Sequence, residues 1–178
     1  MQARISRVNG GFTMIEVLVA LFVLALGVVG ASAAQLAAQR TRQQAALTSE
    51  AALLATSLAA RMQANARVAS LPAGANPYLA LDYDALADGA PAGGPACFGA
   101  AACDPLALAA FDLREARLAI HRSFPAGRIA LCRDGAPWSD AASRYRWECS
   151  GEAGAPLAIK VGWHGTAEAP GYVLLVAR

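Results

Sequence analysis

Phe12 to Ala34 most restricts what this chain can become. It is a run of about 23 almost wholly apolar residues, enough for one helix to cross a hydrocarbon core about 30 Å thick. A single charged side chain, Glu16, interrupts it. An ionisable group inside a membrane-spanning helix is expensive, and by default it marks a partner or a pathway. Arg4 and Arg7 precede the run with no acidic residue beside them. The positive-inside tendency therefore keeps the N-terminus cytoplasmic and sends the remainder across the membrane.

The pair Gly10-Gly11 stands before the apolar run rather than after it. A secretory signal peptide has a shorter apolar region followed by its small-residue cleavage site, so that reading fits poorly. A cut after Gly11 removes the polar leader 1–11, leaves the apolar helix attached and makes Phe12 the new N-terminus. Glycine lets a chain enter a protease in extended form without a side-chain clash. Glu16 then stands about one helical turn from a new ammonium group, where low dielectric strengthens the attraction and desolvation offsets much of it. The competing role for Glu16 is an acid in a first helical turn, complementing the helix dipole.

The 178 residues, less one membrane helix, suffice for one modest domain. Of 15 basic and 13 acidic residues, Arg4 and Arg7 supply the whole excess, so the chain beyond Gly11 is formally neutral. Its arginines are scattered rather than striped, and no footprint for nucleic acid is visible.

Gln35 to Arg67 contains no proline and is rich in Ala, Leu, Gln and Arg, so the helix is expected to continue to about residue 67. Leu47, Ala51, Leu54, Leu58 and Met62 form an apolar stripe that packs on a domain. Gly27 and Gly30 lie within the apolar half, suited to local melting or to close helix packing. Residues 68–103, with Pro72, Asn76-Pro77, Pro91 and Gly93-Gly94, read as an irregular connector carrying the first cysteine pair. The spacing then predicts a domain over 104–178. It opens on a helix with Asp104 as N-cap and Pro105 at its first position, running to about Arg122. Four antiparallel strands follow, near 128–133, 144–149, 156–163 and 171–176. In the third, Ile159, Val161 and Trp163 alternate with Lys160, Gly162 and His164, so that one face covers the helical spine. The fold class is α+β, a long N-terminal helix packed on a small antiparallel sheet of about four strands.

Cys97, Cys103, Cys132 and Cys149 all fall on the translocated side, where an oxidising compartment favours two disulfides. Four cysteines allow three connectivities, and proximity favours Cys97 with Cys103 and Cys132 with Cys149, the latter joining adjacent strands. His121 and His164 lack metal-ligand spacing, so no metal or other cofactor is implied. Asp82, Asp84 and Asp88 cluster without the spacing of a calcium loop and read as a solvated turn. No nucleophile elbow, phosphate loop or HExxH motif is present, and the chain does not read as an enzyme. Trp138, Trp147 and Trp163 are expected in the core.

Residues Gly11-Phe12-Thr13-Met14-Ile15-Glu16-Val17-Leu18-Val19-Ala20 closely resemble the class III leader and N-methylation motif of type IV prepilins and type II secretion pseudopilins. The resemblance implies cleavage between Gly11 and Phe12 by a prepilin peptidase, N-methylation of Phe12 by the same enzyme, and subunit docking through Glu16. Four stretches look like the minor type IV pilins of the PilV family: Glu16 to Leu21, Ala60 to Asn65, Cys103-Asp104-Pro105, and Val161-Gly162-Trp163. That likeness implies a low-copy subunit that joins other minor pilins and the major pilin on an inner-membrane assembly platform and ends in the pilus. Ala33 stands where many major pilins carry a kinking proline. The alternatives are a minor pseudopilin of a type II secretion system and an uncleaved, membrane-anchored periplasmic binding domain.

Overall fold

The structure, a computed structural model, describes residues 11–94, 96–99, 102–164 and 168–176. The leader residues 1–10, with Arg4, Arg7 and Gly10, lie outside them. The chain divides into two units, Met1–Ala45 and Ala46–Arg178. Helix α1 spans Met14–Ala64, 51 residues without a break, and so runs through both.

In the first unit the described residues of α1 are exposed throughout. Among the described residues α1 alone is long and apolar enough to cross a bilayer, with a mean hydropathy of 2.6 over its most apolar window. The hydroxyl of Ser32 donates to the carbonyl of Val28, 2.8 Å away, which satisfies that polar group within the helix as an apolar surround requires. Gly27 and Gly30 leave the helix unbroken, and nothing approaches their missing side chains within 4 Å.

In the second unit α1 buries Leu47, Ala51, Ala55, Leu58, Ala59 and Met62, with Leu54 half-buried beside them. The helix stops where Asn65 leaves helical geometry. A short helix α2 (Ala66–Ala69) follows and ends at Ser70, two residues before Pro72. Helix α3 (Pro105–Ser123) begins as its sequence dictates. Asp104 accepts hydrogen bonds on Oδ1 from the amides of Leu106 (2.9 Å) and Ala107 (2.8 Å), and Pro105 occupies the first turn. Its buried Ala109, Leu113, Ala116 and Ile120 recur at helical spacing and join the same core.

The main sheet has four antiparallel strands in the order β1 (Asp82–Asp84), β2 (Arg128–Arg133), β5 (Leu157–Gly162), β6 (Tyr172–Val176). Ile129 pairs with Val161 and Leu131 with Ile159, and these four side chains meet α1 and α3 in the core. Trp163 lies in that core too. Its indole sits so close to Gly171 that a Cβ there would stand 2.6 Å from Cη2. At the turn from α3 into β2, a Cβ on Gly127 would meet Phe124 Cβ at 2.7 Å and Ile120 Cγ2 at 2.8 Å, so glycine is what lets strand follow helix so tightly.

Three expectations are corrected. The connector is not wholly irregular, because it holds a 3-10 turn (Pro77–Ala80) and supplies β1, an edge strand of the main sheet. The run 144–149 is no strand of that sheet. Only Arg144–Tyr145 (β4) is extended, paired with Trp138–Ser139 (β3) as a separate two-stranded ribbon. Short strands flanked by polar residues lack the apolar alternation that would hold them on a core. Trp138 is 46% exposed on that ribbon, against the edge of Tyr145, and Trp147 is half-buried with the Arg128 guanidinium over its ring, so of the three tryptophans only Trp163 is core.

Candidate functional site

The first turn of α1 is closed by a reciprocal pair. The amide and the hydroxyl of Thr13 both donate to Glu16 Oε2 at 2.8 Å, and the Glu16 amide reaches back toward Thr13 Oγ1 at 3.4 Å. This is a capping box, the Thr-x-x-Glu arrangement that satisfies donors left without partners at a helix start. The sequence reading treated Glu16 as a charge near an N-terminus and missed this use of it, although the four-residue signature Thr13-Met14-Ile15-Glu16 was there to be read. Both hydrogen bonds fall on Oε2.

Gly11 and Phe12 precede the helix in non-helical conformation. Phe12 is 89% exposed, and nothing lies within 4 Å of a side chain placed on Gly11. The capping bonds are made between Thr13 and Glu16 themselves, so they involve no residue before Thr13.

In the second unit the cysteines pair as Cys97–Cys103, with Cα atoms 5.8 Å apart, and Cys132–Cys149, with Cα atoms 6.2 Å apart. The second does not join adjacent strands. It ties β2 to an irregular segment that follows β4 and lies over the sheet's outer face.

The same segment is held by Lys160, which alternates along β5 with the core residues Ile159 and Val161. Lys160 is fully buried, and its Nζ donates to Asp134 Oδ2 (2.6 Å) and to the carbonyls of Arg146 (2.7 Å), Glu148 (2.7 Å) and Trp147 (3.3 Å). An ammonium has three donors, and here each finds an acceptor. Burial pushes the Asp134 carboxyl up, but the hydrogen bond from Lys160, the Ala136 amide and the lysine's charge outweigh it and hold the group below its ordinary range.

A second polar cluster joins α1 to α3. Asn65 Nδ2 donates to the carbonyl of Pro105 (2.7 Å) and to Tyr78 Oη (3.3 Å). Tyr78 donates to Asp112 Oδ2 (2.9 Å), and Arg61 donates to Asp112 Oδ1 (3.2 Å). Burial first, and then the Asp112 carboxylate, push the Tyr78 hydroxyl up to about 12. Of the acidic trio, Asp84 accepts from the amides of Leu86 and Ala87, and Asp88 accepts from the amide of Asp84, so these carboxylates shape a turn.

The prokaryotic N-terminal methylation motif matches residues 6–32. With the long apolar helix behind it, the motif supports a type IV pilin or pseudopilin, a structural class processed by prepilin peptidase and anchored in a membrane. No curated protein and no solved structure matches the chain.

Proposed function

We propose that the chain is a minor type IV pilin of the PilV kind, cut between Gly11 and Phe12, N-methylated at Phe12, and incorporated with other minor pilins to prime or cap a pilus. The observation that carries this reading is the Gly11-Phe12-Thr13-Met14-Ile15-Glu16 motif at the head of a 51-residue helix. Arg4 and Arg7 before the apolar run support a cytoplasmic N-terminus and a periplasmic second unit. Two of the stretches that resemble minor pilins, Ala60 to Asn65 and Cys103-Asp104-Pro105, meet through the bond from Asn65 to Pro105, which supports reading them as one structural feature. Glu16 receives its capping bonds on Oε2, which leaves Oε1 without one of them, and in this reading it meets the Phe12 ammonium of a neighbouring subunit.

Intact-mass measurement on protein recovered from membranes tests the processing, with a chain beginning at N-methylated Phe12 expected and one beginning at Met1 contradicting it. Co-purification then separates the readings. Recovery with the other minor pilins supports the pilus, whereas recovery with secretion-system subunits points to a minor pseudopilin.

A further inference from the structure

We propose that Lys160 is a positioning residue for the Cys132–Cys149 bridge. Its ammonium docks the segment that carries Cys149, so that the two thiols meet before they are oxidised and stay together when they are reduced. Lys160 Nζ binds Asp134, which follows Cys132 by two residues, and the carbonyls of Arg146, Trp147 and Glu148, the residues that lead into Cys149. The clamp therefore joins the neighbourhoods of both cysteines. It uses neither sulfur.

Further hydrogen bonds tie the same two stretches of chain together without the bridge. The Arg146 amide donates to the Pro137 carbonyl (2.9 Å), and its guanidinium donates to the Ala136 carbonyl (2.6 Å). Beyond Cys149, the Gly135 amide donates to Ser150 Oγ (3.2 Å) and the Gly151 amide to the Arg133 carbonyl (3.0 Å). Cys149 thus has anchored neighbours on both sides. Two reactive groups held in this way meet as an intramolecular event at high effective concentration.

Cys149 is exposed and Cys132 half-buried, so a reductant reaches Cys149 first. The thiolate of a dithiol attacks the Cys149 sulfur, breaks its bond to Cys132 and leaves Cys132 as a thiolate beside a mixed disulfide. While the segment stays docked, that thiolate attacks Cys149 in turn, re-forms the bridge and expels the dithiol sulfur as a thiolate. The second thiol of the reductant competes with this return, and undocking of the segment decides the outcome in its favour.

The test uses the full chain in detergent, equilibrated with mixtures of reduced and oxidised dithiothreitol, quenched by alkylation and read bridge by bridge by peptide mass spectrometry. Cys97–Cys103 is the reference within the same molecule. Lys160→Met should lower the equilibrium constant for closing Cys132–Cys149 about tenfold, or about 30 mV for a two-electron couple, and leave Cys97–Cys103 unchanged. In denaturant that unfolds the chain the variant and the wild type should agree, because neither then has the clamp. Asp134→Leu added to Lys160→Met removes the unpaired buried charge without restoring the bonds to the three carbonyls. Closure of Cys132–Cys149 should stay weakened in this double variant, which keeps the test decisive should the single variant fold poorly. An unchanged Cys132–Cys149 equilibrium in the single variant, or a shift shared equally by the two bridges in the double variant, overturns the proposal.

Discussion

Lys160 Nζ lies 2.6 Å from Asp134 Oδ2, with both side chains sealed from solvent beneath the segment that carries Arg146, Trp147 and Glu148. The pair sits on the face of β5 away from the helices, and it makes that strand a two-sided element. Helices cover one face. A loop, pinned by one ammonium and one disulfide, covers the other. Removing one member of a buried ion pair leaves the other charge unpaired, which typically destabilises by about 3–5 kcal/mol. Lys160→Met should lower the stability of the full chain by about that amount in denaturant titration. Lys160→Met combined with Asp134→Leu should recover part of it. A loss under about 1 kcal/mol in the single variant would mean that water replaces the lysine and the site is not sealed.

The acid limb of the stability profile should carry the Asp134 signature. Its folded carboxyl is held below the ordinary 3.8, so the stabilisation is complete above that value and is lost as pH falls through the depressed folded value. Asp134→Asn should flatten the stability profile below about pH 4, which denaturant midpoints measured across that window would reveal.

Tyr78 supplies the opposite limb. Its hydroxyl is pushed from 10.0 up to about 12, so the folded state favours the neutral form, and this contribution holds below 10 and disappears as pH rises through about 12. Tyr78→Phe should remove this alkaline dependence, and absorbance titration of the tyrosinate should show one residue ionising late.

Loss of the Cys132–Cys149 bridge, whose partners are 17 residues apart, should destabilise by about 3 kcal/mol, and loss of the shorter Cys97–Cys103 bridge by less. Because Lys160 and Cys149 hold the same segment, their removal should be non-additive. A double variant whose loss equals the sum of the singles would show that the two tethers act independently.

Glu16→Gln keeps the shape of the capping group and removes its charge. Cleavage after Gly11 should persist, while co-purification with other pilus subunits should fall. Thr13→Ala, which removes a capping partner and leaves the charge, should affect helix content at the N-terminus more than co-purification. Equal behaviour of the two variants would reduce the role of Glu16 to capping.

Periodicity and local chemistry were legible because they act within one turn or one strand. The stripe from Leu47 to Met62, the Asp104-Pro105 start of α3 and the alternation of Ile129, Leu131, Ile159 and Val161 each state which face is buried. Strand β1 was not legible, since Asp82-Tyr83-Asp84 is polar at both ends. It is a strand only because β2 offers it an edge, with Tyr83 pairing opposite Ile129. The separate ribbon of β3 and β4 escaped for the same reason, as its pairing is decided by the turn and by what it covers.

The sequence by itself determined the apolar helix, the processing motif at its head, and the division of that helix into an exposed apolar part and a part that builds a core, because hydrophobic burial and helical period are properties of neighbouring residues. Only the tertiary structure decided that Lys160 is an interior cation and that Asn65 spans from α1 to Pro105. A polar side chain follows its partners, and these partners lie tens of residues away, where pattern carries no information and only the packing of the whole chain does.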